Sequence, residues 1–298
     1  MKKLLFITDK TLSRRFAMAR IACSFAPIFS MFVMASFLVG CNTTQWVSFR
    51  TAKIDTGGLY GNSVINGLLT KPEGHGPFPA VLLLHGCNGQ LDVDLSDWPA
   101  RLAKWGYVSL AVDSFGSRDV STNCGWHTIS DYRLVADAYG AIEYLVAQPF
   151  VDARNIGAIG FSMGGTTVLE FAQEDWANSQ DTRNKRKLKA GVAMYPRCGR
   201  ADRVNPMLVA PVQIIIGDVD DWTPAYECEN FREGVSPKGA PLSLKILPGA
   251  YHAFDVFTVE GRPVGSRVIM GHVLEPNDEA NEQAVATVRA FLMQNLGR

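Results

Sequence analysis

The sequence predicts an α/β fold, a mostly parallel central sheet with helices on both faces. Three observations carry this expectation. Short apolar runs without polar alternation recur along the chain, as strands covered on both faces require. The stretches between them repeat apolar residues at steps of three and four, the helical period. The two patterns alternate over roughly 230 residues, which is the mark of strand–helix–strand units. No linker divides that stretch, so residues 59–298 read as one domain.

The elements follow in order. Val47-Ser48-Phe49-Arg50-Thr51 alternates as a strand would, and Gly57-Gly58 and Gly61-Asn62 punctuate it as turns. Residues 41–58 are therefore expected to be a tether and entry segment, this strand included, leading into the domain. Residues 64–69 read as a second strand. Residues 80–84 are wholly apolar between Pro79 and Gly86, and 107–112, apolar but for Ser109, form the next run. In 131–148, Leu134, Val135, Ala138, Ile142 and Leu145 mark one face of a helix. Residues 156–159 read as a strand, and Val168, Leu169, Phe171 and Ala172 mark a helix after Ser162. Residues 178–188, polar and basic without aromatic interleaving, read as a solvated loop. Strands are expected at 191–194, 212–216 and 242–247. A last helix carries Ala284, Val285, Val288, Phe291 and Leu292 on one side.

Composition excludes other classes. Lys and Arg total 29 and Asp and Glu total 29, so no basic excess points to a nucleic-acid partner. A hydrophobic fraction of 47% argues against a disordered chain. The charge is unevenly spread, however. Lys2, Lys3, Lys10, Arg14, Arg15 and Arg20 face only Asp9 in the first twenty residues, and residues 21–40 carry no charge. That order is the pattern of a secretory signal, with an uncleaved membrane anchor as the alternative. Leu38-Val39-Gly40-Cys41 resembles the lipobox of bacterial lipoproteins. The resemblance implies cleavage before Cys41, a lipid on its sulfur, and an exported protein anchored to a bacterial membrane. Removal of residues 1–40 would leave a formal charge of about −5.

Gly160-Phe161-Ser162-Met163-Gly164-Gly165 lies between an expected strand and an expected helix. A nucleophile on so sharp a turn needs small residues two before and two after it, and Gly160 and Gly164 supply that room. A serine hydroxyl also needs a base. Five histidines are available: His75, His85, His127, His252 and His272. In elbow hydrolases the order is serine, acid, histidine, which leaves His252 and His272. His252 follows the expected strand 242–247, at a strand end where open α/β sheets carry their sites. Gly217-Asp218-Val219-Asp220-Asp221-Trp222-Thr223-Pro224 follows the strand 212–216 and offers three acids. Spacing favours Asp220, with Asp221 next and Asp218 too early; an aspartate capping a helix near Pro224 is the structural alternative. The backbone N–H groups of Met163 and of Cys87, in His85-Gly86-Cys87-Asn88-Gly89, are the expected oxyanion donors. His85 is expected to brace that loop.

Together with Asp113-Ser114-Phe115-Gly116-Ser117-Arg118 and Gly249-Ala250-Tyr251-His252-Ala253-Phe254, these motifs resemble the dienelactone hydrolase family over residues 60–297. The resemblance implies the α/β-hydrolase fold, hydrolysis of an ester, lactone or related acyl bond, and Ser162, Asp220 and His252 as the triad. It departs at the nucleophile, where founding members carry cysteine. Arg118 and Trp222 are candidates for contact with a small-molecule acyl substrate. A structural ion pair is the alternative for Arg118. A peptidase or thioesterase, or a non-catalytic binding module, are the competing functions. No cofactor or metal is expected, since H-E-x-x-H, C-x-x-C and EF-hand patterns are missing from the sequence.

Beyond Cys23 and Cys41, four cysteines remain: Cys87, Cys124, Cys198 and Cys228. An even count in an exported chain points to two disulfides. Cys87–Cys124 and Cys198–Cys228 are favoured, because each pair joins loops after neighbouring expected strands. Free buried thiols are the alternative.

Overall fold

The computed structural model describes residues 42–55, 59–60, 62–125, 128–173, 188–200 and 205–298. Its strands are β1 (Thr43–Arg50), β2 (Ile54–Asp55), β3 (Leu59–Tyr60), β4 (Val64–Lys71), β5 (Phe78–Leu84), β6 (Val108–Asp113), β7 (Val151–Phe161), β8 (Ala190–Met194), β9 (Val212–Gly217) and β10 (Leu242–Leu247). Eight of these join one sheet in the order β1-β4-β6-β5-β7-β8-β9-β10. β4 runs antiparallel to both β1 and β6. From β6 to β10 every neighbouring pair is parallel.

The apolar runs are explained by their cover. β5 is buried at all seven positions, and β8 and β9 are buried along their whole lengths. A strand enclosed on both faces favours apolar residues throughout, and the one polar side chain among these three strands, Gln213, has its Nε2 hydrogen bonded to the Ile214 carbonyl. The cover comes from helices on the two faces. A Cβ on Gly157 would meet Leu296 of the C-terminal helix Asp278–Leu296. A Cβ on Gly160 would meet Gly164 of helix α3 (Met163–Phe171). Residues three apart in a strand point to opposite faces, so the two helices lie on opposite sides of β7. Helix α2 (Asp131–Val146) packs beside α3, with Tyr139 and Phe171 edge to face at 4.3 Å.

The C-terminal helix is set by its start and its stripe. Asn277 Oδ1 accepts the Ala280 N–H at 3.0 Å, and Asp278 and Glu279 occupy the first turn. Ala280, Ala284, Val288, Leu292 and Leu296 are its buried residues, all at steps of four.

The strand expected at Val47–Thr51, in the tether and entry segment 41–58, begins earlier: β1 pairs with β4 over eight positions from Thr43 to Arg50 and is the edge strand of the sheet. Phe49 is the one buried residue of β1, so hydrogen bonding rather than an apolar face holds it there. The signal residues 1–40, Cys41, the turn glycines 57, 58 and 61, and nearly all of 178–188 lie outside the described residues. Among the described residues no helix is long and apolar enough to cross a membrane.

Beyond β10 the chain adds two short hairpins. The first pairs Thr258–Val259 with Arg262–Pro263. The second pairs Arg267–Ile269 with His272–Leu274.

Candidate active site

Ser162 occupies the turn from β7 into α3 with φ 51° and ψ −113°, a backbone conformation that a non-glycine residue adopts only under strain. The surroundings enforce it. A Cβ at Gly160 would strike the Gly164 carbonyl, and one at Gly164 would strike the Leu84 carbonyl of β5. Both glycines are therefore required by close approach. The Ser162 N–H donates to the Met194 carbonyl at 2.9 Å, tying the turn to β8.

Two loops from neighbouring strands meet the serine. His252 lies in the loop after β10, 2% exposed. Its Nε2 is 2.9 Å from Ser162 Oγ, and its Nδ1 is 2.8 Å from Asp220 Oδ2 in the loop after β9. Asp220 is itself fixed. Its Oδ1 accepts the Trp222 and Thr223 N–H groups at 3.0 and 2.8 Å, forming a turn just before the helix Ala225–Gly234. The Thr223 hydroxyl lies 2.9 Å from Asp220 Oδ2 and 3.1 Å from His252 Nδ1. Tyr195 and Trp222 wedge the imidazole, with ring centroids 4.9 and 5.2 Å away.

The neighbouring aspartates have other partners. Asp221 accepts the Val273 N–H at 3.1 Å and lies 3.8 Å from His272 Nδ1. Asp218 accepts the Gly249 N–H at 2.6 Å, which links the Asp220 loop to the His252 loop. Neither caps the helix, whose N-cap position is Pro224.

Cys87 and Met163 both line a cavity of about 230 Å³ that opens on Ser162. The Cys87 carbonyl accepts the Asn123 N–H at 2.7 Å and the Thr122 hydroxyl at 3.2 Å, which ties this loop to residues 122–123. A disulfide joins Cys87 to Cys124 across the same wall, and a second joins Cys198 to Cys228. His85 braces the loop: its Nδ1 bonds the Gly86 carbonyl at 2.8 Å and its Nε2 accepts the Ser114 N–H at 3.2 Å. Burial lowers its pKa, against the opposing pull of the Gly86 bond and the Asp113 charge, which suits a neutral ring that donates at one nitrogen and accepts at the other.

Arg118 does not reach the cavity. Its guanidinium makes a bidentate pair with Asp137 of α2 at 2.7 and 2.8 Å, and also donates to the Ser114 carbonyl at 2.6 Å. The expected substrate contact is replaced by a buried structural ion pair. Trp222 does line the cavity, and its ring stacks on His272 at 5.1 Å and 15°.

Several residues at the site escape sequence reasoning. Thr223 contacts both Asp220 and His252. Tyr195 donates to Asp255 at 2.7 Å, and Trp98 reaches the same carboxylate at 3.4 Å. Asp94 is 2% exposed with one carboxylate oxygen unpartnered. Of these, Thr223 lies within the Gly217–Pro224 motif and Asp255 directly follows the Gly249–Phe254 motif, which is the signal that could have found them. Among the described residues no group of three or more His, Cys, Asp or Glu side chains could hold a metal ion.

Comparison with known proteins agrees with this architecture. A protein from Bradyrhizobium sp. named "Probable 2-oxo-3-(5-oxofuran-2-ylidene)propanoate lactonase" is 25% identical over 224 residues, covering 69% of this chain and 86% of that one. Esterase FrsA from Shigella boydii is 29% identical over 112 residues, and the match spans 26% of its length and 38% of this chain. Dienelactone hydrolase from Anabaena variabilis superposes with a TM-score of 0.57 at 20% identity, over 83% of this chain and 98% of that one. A dienelactone hydrolase-like promiscuous phosphotriesterase from metagenomic libraries gives 0.58 at 22% identity, over 87% and 100%. The sequence model of the dienelactone hydrolase family matches residues 65–296, and the chain accordingly belongs to that family, as a hydrolase acting on ester bonds with the α/β-hydrolase fold.

Proposed function

We propose that the chain cleaves carboxylic esters, lactones included, through an acyl-enzyme on Ser162. The observation that carries this reading is the continuous hydrogen-bonded chain from Ser162 Oγ through His252 to Asp220, at 2.9 and 2.8 Å. His252 Nε2 takes the serine proton as Oγ attacks the carbonyl carbon. Asp220 holds Nδ1 protonated and stabilises the imidazolium without accepting its proton. The N–H groups of Cys87 and Met163 receive the negative charge that develops on the carbonyl oxygen. His252 then protonates the departing alcohol, and water releases the acid by the same steps in reverse order. Serine in place of the founding members' cysteine suits ordinary esters, and the lactonase name of the Bradyrhizobium relative supports the acyl class.

A fluorophosphonate probe tests the nucleophile. Wild type should be labelled and Ser162→Ala should not. Equal labelling of the two would sink the reading, and an unlabelled wild type would favour a non-catalytic binding module. A panel of alkyl esters, lactones, thioesters and peptides separates esterase from thioesterase and peptidase.

We also propose that the protein works outside the cytosol, anchored to a bacterial membrane by lipid on Cys41. The lipobox-like Leu38-Val39-Gly40-Cys41 supports this, as do two disulfides, which suit an oxidising compartment. Metabolic labelling with a fatty acid should mark wild type and spare Cys41→Ser.

A further inference from the structure

The Thr223 hydroxyl has one proton and three neighbours. Asp220 Oδ2 lies 2.9 Å away, His252 Nδ1 3.1 Å and the Tyr195 carbonyl 3.2 Å. Asp220 is the nearest and the charged acceptor of the three. A charge-assisted bond is the stronger one, so the proton goes to Asp220 Oδ2. His252 Nδ1 is closer to that oxygen, at 2.8 Å, than to the hydroxyl, so its own proton goes there as well.

This allocation fills the carboxylate. An ionised carboxylate offers about four acceptor sites. Asp220 Oδ1 takes the Trp222 and Thr223 N–H groups, and Oδ2 takes the Thr223 O–H and the His252 N–H. The Asp220 side chain is wholly buried and Thr223 is nearly so. A donor lost here is not replaced from bulk solvent, and a buried acceptor left short is costly.

The chain fixes the hydroxyl where it is used. Thr223 precedes Pro224, a position that favours extended backbone, and its branched Cβ restricts the side-chain rotamer. Its N–H reaches Oδ1 at 2.8 Å and its hydroxyl reaches Oδ2 at 2.9 Å. One residue thus holds both oxygens of the carboxylate and, with them, the plane in which Oδ2 meets the imidazole. The other ionisable groups around the ring are engaged elsewhere. Tyr195 donates its hydroxyl to Asp255, and His272 stacks on the Trp222 ring and lies beside Asp221.

We propose that Thr223 is a positioning residue for the acyl transfer. Acting through Asp220, its hydroxyl sets the plane of the carboxylate against His252 Nδ1 and tempers the charge that the ring feels. This rests on Ser162, His252 and Asp220 acting as proposed above.

Steady-state hydrolysis of p-nitrophenyl butyrate across pH tests it. Thr223→Val keeps the shape and removes the hydroxyl. It should lower kcat by about tenfold or more and leave KM within about twofold. It should also move the acidic limb of the kcat/KM profile to higher pH, because a carboxylate with one donor fewer favours a charged ring beside it. Thr223→Ser keeps the hydroxyl and should stay within about threefold of wild type on both counts. Added to Asp220→Asn, Thr223→Val should cost less than about a further threefold, since residues that act as a unit are not additive. Tryptophan fluorescence in urea checks that each variant is folded; if valine is not accepted, Thr223→Ala is read in its place.

A folded valine variant with wild-type kcat and pH profile overturns the proposal. So does equal loss in valine and serine, which would assign the effect to packing, or a further tenfold loss in the Asp220→Asn background, which would detach Thr223 from the acid. Fluorophosphonate labelling of wild type separates the two readings. A labelled Ser162 with any of these outcomes rejects the role of Thr223 alone, whereas an unlabelled serine with no turnover rejects the serine mechanism beneath it.

Discussion

Replacing Asp94 by asparagine should make the protein more stable at alkaline pH and leave it unchanged in mild acid. Asp94 sits in the short π-helical turn Val93–Asp97, 2% exposed. Its Oδ2 accepts the Leu91 N–H at 3.0 Å, and its Oδ1 has no partner. Burial pushes its pKa from 3.8 up to about 7; the Leu91 bond pulls it back and the charge of Asp255 pushes it further up. Between those values the folded protein holds a proton that the unfolded chain has lost. Stability therefore falls as pH rises from about 4 to about 7 and levels off above, since protonation then no longer differs between the two states. A carboxyl moved that far corresponds to about 4 kcal/mol at the plateau, an upper figure because the site can relax. Asparagine keeps the shape and the acceptor for Leu91 without the charge. Guanidinium unfolding followed by tryptophan fluorescence at pH 5, 6, 7 and 8 measures the difference. Asp94→Asn should gain about 2–4 kcal/mol on wild type by pH 8 and progressively less toward pH 5. A constant difference at every pH would refute the reasoning, because it would mean that Asp94 titrates alike in both states. Asp255, also raised chiefly by burial, leaves a residual slope of the same sign in the variant.

Three further outcomes follow from the geometry. Asp220→Asn should lower kcat for ethyl butyrate by about 10³–10⁴-fold, and Asp221→Asn by less than about tenfold, since only Asp220 holds the His252 ring. Arg118→Ala should cost about 3–5 kcal/mol in urea unfolding by stranding the buried Asp137 carboxylate, while leaving the ratio of kcat/KM for charged and neutral acyl groups unchanged. Replacing Cys198 and Cys228 together by serine opens a crosslink spanning 30 residues and should cost about 3–4 kcal/mol by chain entropy, read as a lower urea midpoint with an intact active-site titration by the fluorophosphonate probe.

The legible parts of the fold were those whose cause is local. β5, β8 and β9 announce themselves because burial on both faces leaves near-continuous apolar runs, broken only by Gln213. The C-terminal helix does so through its four-residue stripe. β1 was legible only in its second half, where Val47–Thr51 alternates; Thr43–Trp46 is exposed throughout, and its place in the sheet rests on backbone pairing with β4. The same division runs through the site. The Ser162 turn is dictated by glycines two residues away, whereas the choice between Asp220 and Asp221 depends on how a loop folds back. Trp222 and Thr223 donate to Asp220 and turn it inward, and the Val273 N–H holds Asp221 at the rim. Arg118 misled because its partner, Asp137, lies 19 residues ahead on α2 between Ala136 and Ala138, where the apolar period gives no warning of a charge. Thr223 stands within the Gly217–Pro224 motif, but its reach to His252 comes only with the fold, and Asp94 carries no motif.

The edge strand β1 has a bearing on which way the enzyme faces. Thr43, its first residue, pairs with Lys71 at the far end of β4, and the near end of β4 pairs with Asp113 at the end of β6. Thr43 thus lies at the level where the parallel strands begin, and Ser162, Asp220 and His252 lie where they end. A single residue, Asn42, separates Cys41 from β1. With the lipid proposed at Cys41, the leash would be too short for the body to turn over. The bilayer would lie against the floor of the sheet, and the catalytic mouth would open away from it, at least the ~20 Å that the six residues of β6 span at about 3.3 Å each. An enzyme mounted in that attitude would draw its esters from the aqueous phase rather than from the lipids beneath it.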